Sequence, residues 1–305
     1  EPHFLDRNMA AGFDLFHKEV DLRDVASFRQ RDTGANLRVG FPIADDTQLG
    51  LRYRLQREEI FDATSDASLA VKDAASDGPV WVSSLGYTVA FDTRNLPQQP
   101  TSGMFASLSQ DFAGLGGNVN YNRFVGDVRG YYPVTNKITL VGRAQGGAIN
   151  GWGENELRLT DLFFKGGETI RGFDRAGYGP RDACESPTTG ARVPNCSRDA
   201  LGGQYFWSTT AELRFPFPLI PDSLGMQGAI FVDAGSLWNT SPRAVDAVTD
   251  EGSFILDTAD VRLSTGFSVI WQSPLGPLRA DIAEALLKAD FDETELFRFG
   301  ASTNF

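Results

Sequence analysis

Along most of the chain, apolar and polar residues trade places at every second position, the period of an extended strand whose two faces meet different surroundings. In Val261–Gln272 one face reads Val261, Leu263, Thr265, Phe267, Val269, Trp271 and the other Arg262, Ser264, Gly266, Ser268, Ile270, Gln272. In Leu49–Gln56 the split is Leu49, Leu51, Tyr53, Leu55 against Gly50, Arg52, Arg54, Gln56. In Gln204–Phe215, Tyr205, Trp207, Thr209, Ala211, Leu213 and Phe215 oppose Gln204, Phe206, Ser208, Thr210, Glu212 and Arg214. The pattern predicts twelve strands: Asn8–Glu19, Phe28–Phe41, Thr47–Ile60, Val80–Arg94, Met104–Phe112, Asn120–Pro133, Ile138–Ile149, Gln204–Phe215, Met226–Trp238, Val261–Gln272, Pro277–Lys288 and Glu295–Phe305. Most run to roughly 10–14 residues, the length of a tilted strand crossing a bilayer, whereas strands of a soluble sandwich usually stop near five or six.

The connections alternate between short and long. Short turns fall at Pro42–Asp46, Asn95–Gly103, Val134–Lys137, Phe217–Gly225 and Ser273–Gly276. Longer links fall at Val20–Ser27, Phe61–Pro79, Ala113–Val119, Asn150–Gly202, Asn239–Thr258 and Ala289–Glu293. An up-and-down barrel of the outer membrane has this rhythm, with short periplasmic turns and long extracellular loops. The expected fold is therefore an all-β, transmembrane antiparallel barrel carrying one long loop over residues 150–202, with both chain ends periplasmic.

Composition agrees with that reading and removes others. Hydrophobic residues make up 41%, as in a soluble domain, yet there are 23 Phe, 7 Tyr and 5 Trp. No stretch reaches the ~18 uninterrupted apolar residues of a membrane helix. A net charge of −12, concentrated in the predicted loops, argues against nucleic acid as a partner. Nothing at the start resembles a leader, and Glu1 is not an initiator residue, so the chain is expected to be a mature or truncated piece. The two cysteines, Cys184 and Cys196, share one polar loop, which favours a disulfide formed outside the cytoplasm; two unpaired thiols are the alternative. Metal binding is disfavoured because His3 and His17, the only histidines, lie far away in sequence. Neither histidine adjoins a Gly-x-Ser-x-Gly elbow, so an enzyme is not expected, and no motif calls for a cofactor. Gly114-Leu115-Gly116-Gly117 lacks the Lys-Ser or Lys-Thr of a phosphate loop and reads as a loop tip.

Three segments resemble the BamA family of outer-membrane assembly factors. Phe163-Phe164-Lys165-Gly166-Gly167-Glu168-Thr169-Ile170-Arg171-Gly172-Phe173 is similar to the approach to, and body of, that family's Val-Arg-Gly-Phe loop motif, with Ile170 in place of Val. Phe231-Val232-Asp233-Ala234-Gly235-Ser236-Leu237-Trp238 resembles its strand with a lumenal Asp, and Trp271-Gln272-Ser273-Pro274-Leu275-Gly276-Pro277-Leu278 a later strand pair. The resemblance implies a barrel of roughly sixteen strands, of which about four, together with periplasmic POTRA repeats, would precede Glu1. A closed barrel of twelve strands is the alternative.

The same resemblance implies that the long loop folds into the lumen, where Arg171, beside Gly172 and Phe173, would meet Asp233 and, less securely, Glu212. In some relatives the acid stands where this chain has Arg214. A guanidinium suits such a latch because it grips carboxylates bidentately. The final strand carries Phe297, Phe299 and Phe305 on one face and Arg298 and Gly300 on the other, similar to the C-terminal signal of outer-membrane barrels, although Thr303 stands where an aromatic is common. That strand would form half of a lateral gate. The implied activity is folding and insertion of other outer-membrane proteins, with unfolded barrels, outer-membrane lipids and accessory lipoproteins as partners. The alternative within the superfamily is a two-partner secretion or translocation-and-assembly pore, which the number of periplasmic repeats would discriminate.

Overall fold

A computed structural model describes residues 9–97, 99–153, 156–217, 221, 224–273 and 276–301. Its twelve long strands are β1 (Ala10–Asp21), β2 (Arg29–Ala44), β3 (Thr47–Phe61), β4 (Val80–Asp92), β5 (Gly103–Gly117), β6 (Tyr121–Pro133), β7 (Thr139–Gly151), β8 (Tyr205–Pro216), β9 (Met226–Trp238), β10 (Arg262–Ser273), β11 (Gly276–Leu287) and β12 (Phe297–Ala301). Each pairs antiparallel with its neighbour in sequence, in one twelve-stranded sheet. Among the described residues, β1 and β12 pair on one side only and not with each other, so hydrogen bonding does not close a twelve-strand barrel.

Side-chain parity fixes the two faces. On β9, Ile230 is 50% exposed and Val232 46%, while Phe231 and Asp233, at the alternate positions, are buried. On β10, Trp271 points outward and Ile270, one residue earlier, is buried inward. Apolar side chains thus cover the outside and polar ones the inside, as lipid outside and water inside demand. Curvature brings the inner faces of non-adjacent strands together: Arg52 on β3 reaches over Gly86 to Asp111 on β5, at 2.7 Å from Nε and 2.6 Å from Nη2. A Cβ at Gly86 would collide with both partners, so the missing side chain is what opens that path.

Two features depart from the sequence reading. Ala113–Val119 is not a long link: β5 continues through Gly117 and only three residues separate it from β6. Gly114, Gly116 and Gly117 all have positive φ, conformations closed to most side chains, and they carry the strand past a register shift against β4. The ring of Trp152 occupies the space where a Gly114 side chain would stand and stacks on Phe112.

The second departure is helical. α1 (Leu69–Ser76) lies in the loop after β3 and α2 (Pro242–Asp250) in the loop after β9. Ser68 and Ser241 accept the first free amides of the two helices, from Val71 and Ala244 at 3.2 Å, and Pro242 occupies a first-turn position where no amide is needed. Arg243 ties the helices together through Asp73 (2.8 Å) and Asp77. With the long loop between β7 and β8, they form an apolar cap over one mouth of the barrel, centred on Phe28, Val71, Leu159, Leu201 and Val248.

The cap is also pinned by polar contacts. Cys184 and Cys196 form a disulfide. Buried Asp182 accepts from the amides of Cys184 and Leu69 and from the Ser253 hydroxyl. Asp199 accepts from the Ser27 hydroxyl at 2.6 Å and the Ser68 amide at 2.7 Å. Burial pushes the Asp199 carboxyl up to about 6, against the lowering effect of those two donors and with the help of nearby Asp182 and Asp66.

Candidate functional site

Inside the barrel, Gly166 to Tyr178 of the long loop descends against β8 to β11. The turn at its start is closed by Thr169 and Ile170, whose amides donate to the Gly166 carbonyl. Gly172 sits at φ +91°, and a side chain there would press on Ala283 and Ser264 of the wall. Ile170 and Phe173 are fully buried, with Phe173 packed edge-to-face on Tyr178 at 5.4 Å. These anchors leave the intervening Arg171 pointing at the wall.

Its guanidinium grips Asp233 with both arms, Nε to Oδ2 at 2.7 Å and Nη2 to Oδ1 at 2.8 Å, and the Arg171 amide adds a third donor at 3.0 Å. Nη1 donates to Glu212 Oε2 at 2.6 Å, and the flat cation lies 3.3 Å from the centre of the Phe231 ring. Asp233 is 1% exposed and Glu212 3%. Glu212 is shared, accepting also from Arg214 (2.8 Å) and Arg279 (2.6 Å). Arg279 in turn binds Asp281, which accepts the Ser268 hydroxyl.

Sequence reading placed Arg171, Asp233 and Glu212 together but missed Arg279 and Asp281. Their signal was present: Arg279 and Asp281 are two apart on the inward face of β11, directly after the Trp271 to Leu278 motif. Arg214, set against the acid of some relatives, points inward two residues from Glu212 and neutralises it rather than replacing it.

The last strand meets the same loop. The Glu295 amide donates to the Gly172 carbonyl (3.1 Å), Asp174 to Glu293 (3.0 Å) and Glu293 to Gly177 (2.7 Å). Arg298, on the inward face of β12, donates to Glu295 and, at 3.4 Å, to the Phe173 carbonyl. Phe297 and Phe299 point outward and are more than half exposed, while Gly300 faces the lumen. Phe305 lies outside the described residues.

The Omp85 superfamily domain matches residues 1–305, the whole chain. The chain belongs to the Omp85 superfamily. It is an outer-membrane β-barrel of that superfamily, 30% identical over 303 residues to the outer membrane protein assembly factor BamA of Neorickettsia risticii, covering 98% of the chain and 37% of that relative. Among solved structures it is similar to BamA from Haemophilus ducreyi lacking POTRA domains 1–3, at 23% identity and a TM-score of 0.80, covering 98% of this chain and 59% of that one. Its fold is less similar to CdiB from Acinetobacter baumannii, at 13% identity and a TM-score of 0.53 over 95% of this chain and 46% of that one. The Omp85 chain spans 32% to 40% of the length of the curated BamA relatives it matches.

Proposed function

We propose that this Omp85 barrel is the membrane-embedded part of an assembly factor that folds and inserts other β-barrel proteins into the outer membrane. The observation that carries the reading is the relation to the BamA of Neorickettsia risticii, which extends over 98% of the chain. The geometry of the loop supports it. Arg171, seated on Asp233 and Glu212, holds the plug against β8 and β9, while the same loop hydrogen-bonds to the chain leading into β12. The wall is thereby rigid on the β8 to β11 side, and the seam beside β12 is where it parts.

A strand edge in lipid leaves amide and carbonyl groups without partners, each at a cost of several kcal/mol, so an unfolded client strand gains by pairing there. No covalent step is required. Outward Phe297 and Phe299 set the lipid contact beside the seam. Accessory lipoproteins and periplasmic repeats would deliver clients to this edge.

The test is reconstitution of the full-length protein in lipid vesicles with an unfolded outer-membrane barrel as client. Folding is read from the heat-modifiable band on a gel. Faster folding than in empty vesicles is expected, with the gain lost when the seam is cross-linked shut. Equal rates in loaded and empty vesicles would refute the reading.

A further inference from the structure

The last two strands do not stay together along their full length. β12 pairs with β11 from Leu278 opposite Ala301 to Ile282 opposite Phe297, and the Ala283 amide still reaches the Leu296 carbonyl at 3.0 Å. β11 continues to Leu287, whereas residues 289–295 leave the wall and turn into the barrel. There Thr294 bridges Phe173 of the long loop, and the backbones of Glu293 and Glu295 share hydrogen bonds with Gly172, Asp174 and Gly177. The point at which β12 joins the sheet is therefore set by this lead-in segment as well as by β11.

A buried ion pair outside the Arg171 latch holds the lead-in. Arg262, the first residue of β10, and Asp292 are each 0% exposed. The guanidinium meets the carboxylate with two arms, Nε to Oδ2 at 2.9 Å and Nη2 to Oδ1 at 3.2 Å. Its Nη1 donates to the carbonyls of Thr258 (3.1 Å) and Asp260 (2.8 Å), in the chain arriving from α2. Asp292 Oδ2 also accepts the Ala289 amide at 2.8 Å, and the Asp292 amide donates to the Ala289 carbonyl at 3.1 Å, which closes a turn over residues 289–292. From the other side Arg181 of the long loop, 2% exposed, donates to the Glu293 carboxylate at 2.9 Å. Desolvation offsets much of the attraction within a fully buried pair, so its main effect is geometric: one placement of the turn satisfies both charges, and losing either partner strands the other.

We propose that Arg262 and Asp292 are positioning residues for the seam: by fixing the turn over residues 289–292 to the start of β10, they set where the chain leaves the plug and enters β12, and they restrain that strand from moving away. The consequence for clients rests on the assembly reading above, to which the pair adds the side chains that hold the moving strand. The pair acts on β12 through residues 293–296 and touches no client itself.

The experiment is hydrogen–deuterium exchange, read by mass spectrometry, on the full-length protein in lipid nanodiscs, unaltered and as Asp292→Asn and Arg262→Lys. Asn keeps the shape of Asp without its charge, and Lys keeps the charge but cannot span both oxygens. In each variant the amides of β12 and of residues 293–296 should exchange at least about tenfold faster, the factor for losing a hydrogen bond between charged groups, while β9 stays within about twofold of its rate in the unaltered protein. Arg262→Lys supplies the reading if Asp292→Asn gives no heat-modifiable folded band. A pair that merely stabilises the fold would speed exchange in β9 and β12 alike, and one that orders only its own turn would speed it at residues 289–292 alone. Either pattern, or unchanged exchange in β12, overturns the proposal. The measurement contains no client, so it can fail while vesicle assembly succeeds; failure of the unaltered protein to speed client folding overturns the assembly reading and leaves the restraint on β12 standing.

Discussion

Replacing Arg171 by Ala removes three donated hydrogen bonds while leaving the backbone amide in place: the two-armed grip on Asp233 and the bond to Glu212 disappear, and the amide contact to Asp233 remains. The two acids fare differently. Glu212 keeps Arg214 and Arg279, so its charge stays compensated. Asp233 is 1% exposed and has no second cation among the described residues. Stranding one member of a buried ion pair costs about 3–5 kcal/mol, and most of that should fall on Asp233. Urea unfolding of the full-length protein in vesicles, followed by tryptophan fluorescence, should show a loss of this size in Arg171→Ala. Asp233→Ala removes the stranded charge, so the double variant should cost clearly less than the two single changes added together. Arg171→Lys should rescue little, because an ammonium cannot span both carboxylate oxygens. Strictly additive losses, or an unfolding midpoint in Arg171→Ala equal to that of the unaltered protein, would sink the latch.

Three further outcomes are expected. The Asp199 carboxyl, raised from 3.8 to about 6, favours folding in its protonated form; its stabilising contribution is complete below about pH 4 and is lost as pH rises through 6. The difference is about 3 kcal/mol, so protease resistance of the cap in Asp199→Asn should vary less between pH 4 and pH 7 than in the unaltered protein; identical profiles would count against it. Val232→Arg, on the lipid face of β9, should destabilise the barrel by about 2–4 kcal/mol in vesicles, and a neutral result would put that face elsewhere than in lipid. Reducing Cys184–Cys196 reopens a loop with a separation of 12 residues, worth about 3 kcal/mol in chain entropy. Protease should then cut between the two cysteines while strand content, measured by circular dichroism, stays constant.

The wall of the barrel was readable in the chain because one physical rule, lipid on one side and water on the other, repeats at every second residue. Met226–Trp238 was placed to the residue, and most other ends fell within two. The rule fails where glycines remove the side chains that carry it, as at Gly114 to Gly117, where a strand end looks like a loop. It also says nothing about segments outside the membrane. The serines capping α1 and α2 and the Pro242 after Ser241 were local signals for two short helices, but each helix buries its apolar side against other loops, a partner no single segment reveals. Arg171 and Asp233 were legible through the loop motif and strand parity. Arg279 and Asp281 gain their meaning only once β11 lies beside β10 and the loop descends onto both.

With its long loops turned outward, the orientation expected of an outer-membrane barrel, the cap over that mouth would determine what the cell surface displays. Its outer face is assembled from the α1 loop, the disulfide-bearing tongue and the α2 loop, joined by Arg243 to Asp73 and by Asp182 to Leu69. An antibody or phage tail fibre gripping that face reads a mosaic of three distant stretches. Peptides copied from any one of them present only a fragment of the epitope, and a serum raised against the denatured chain recognises a different object from the one exposed on the bacterium.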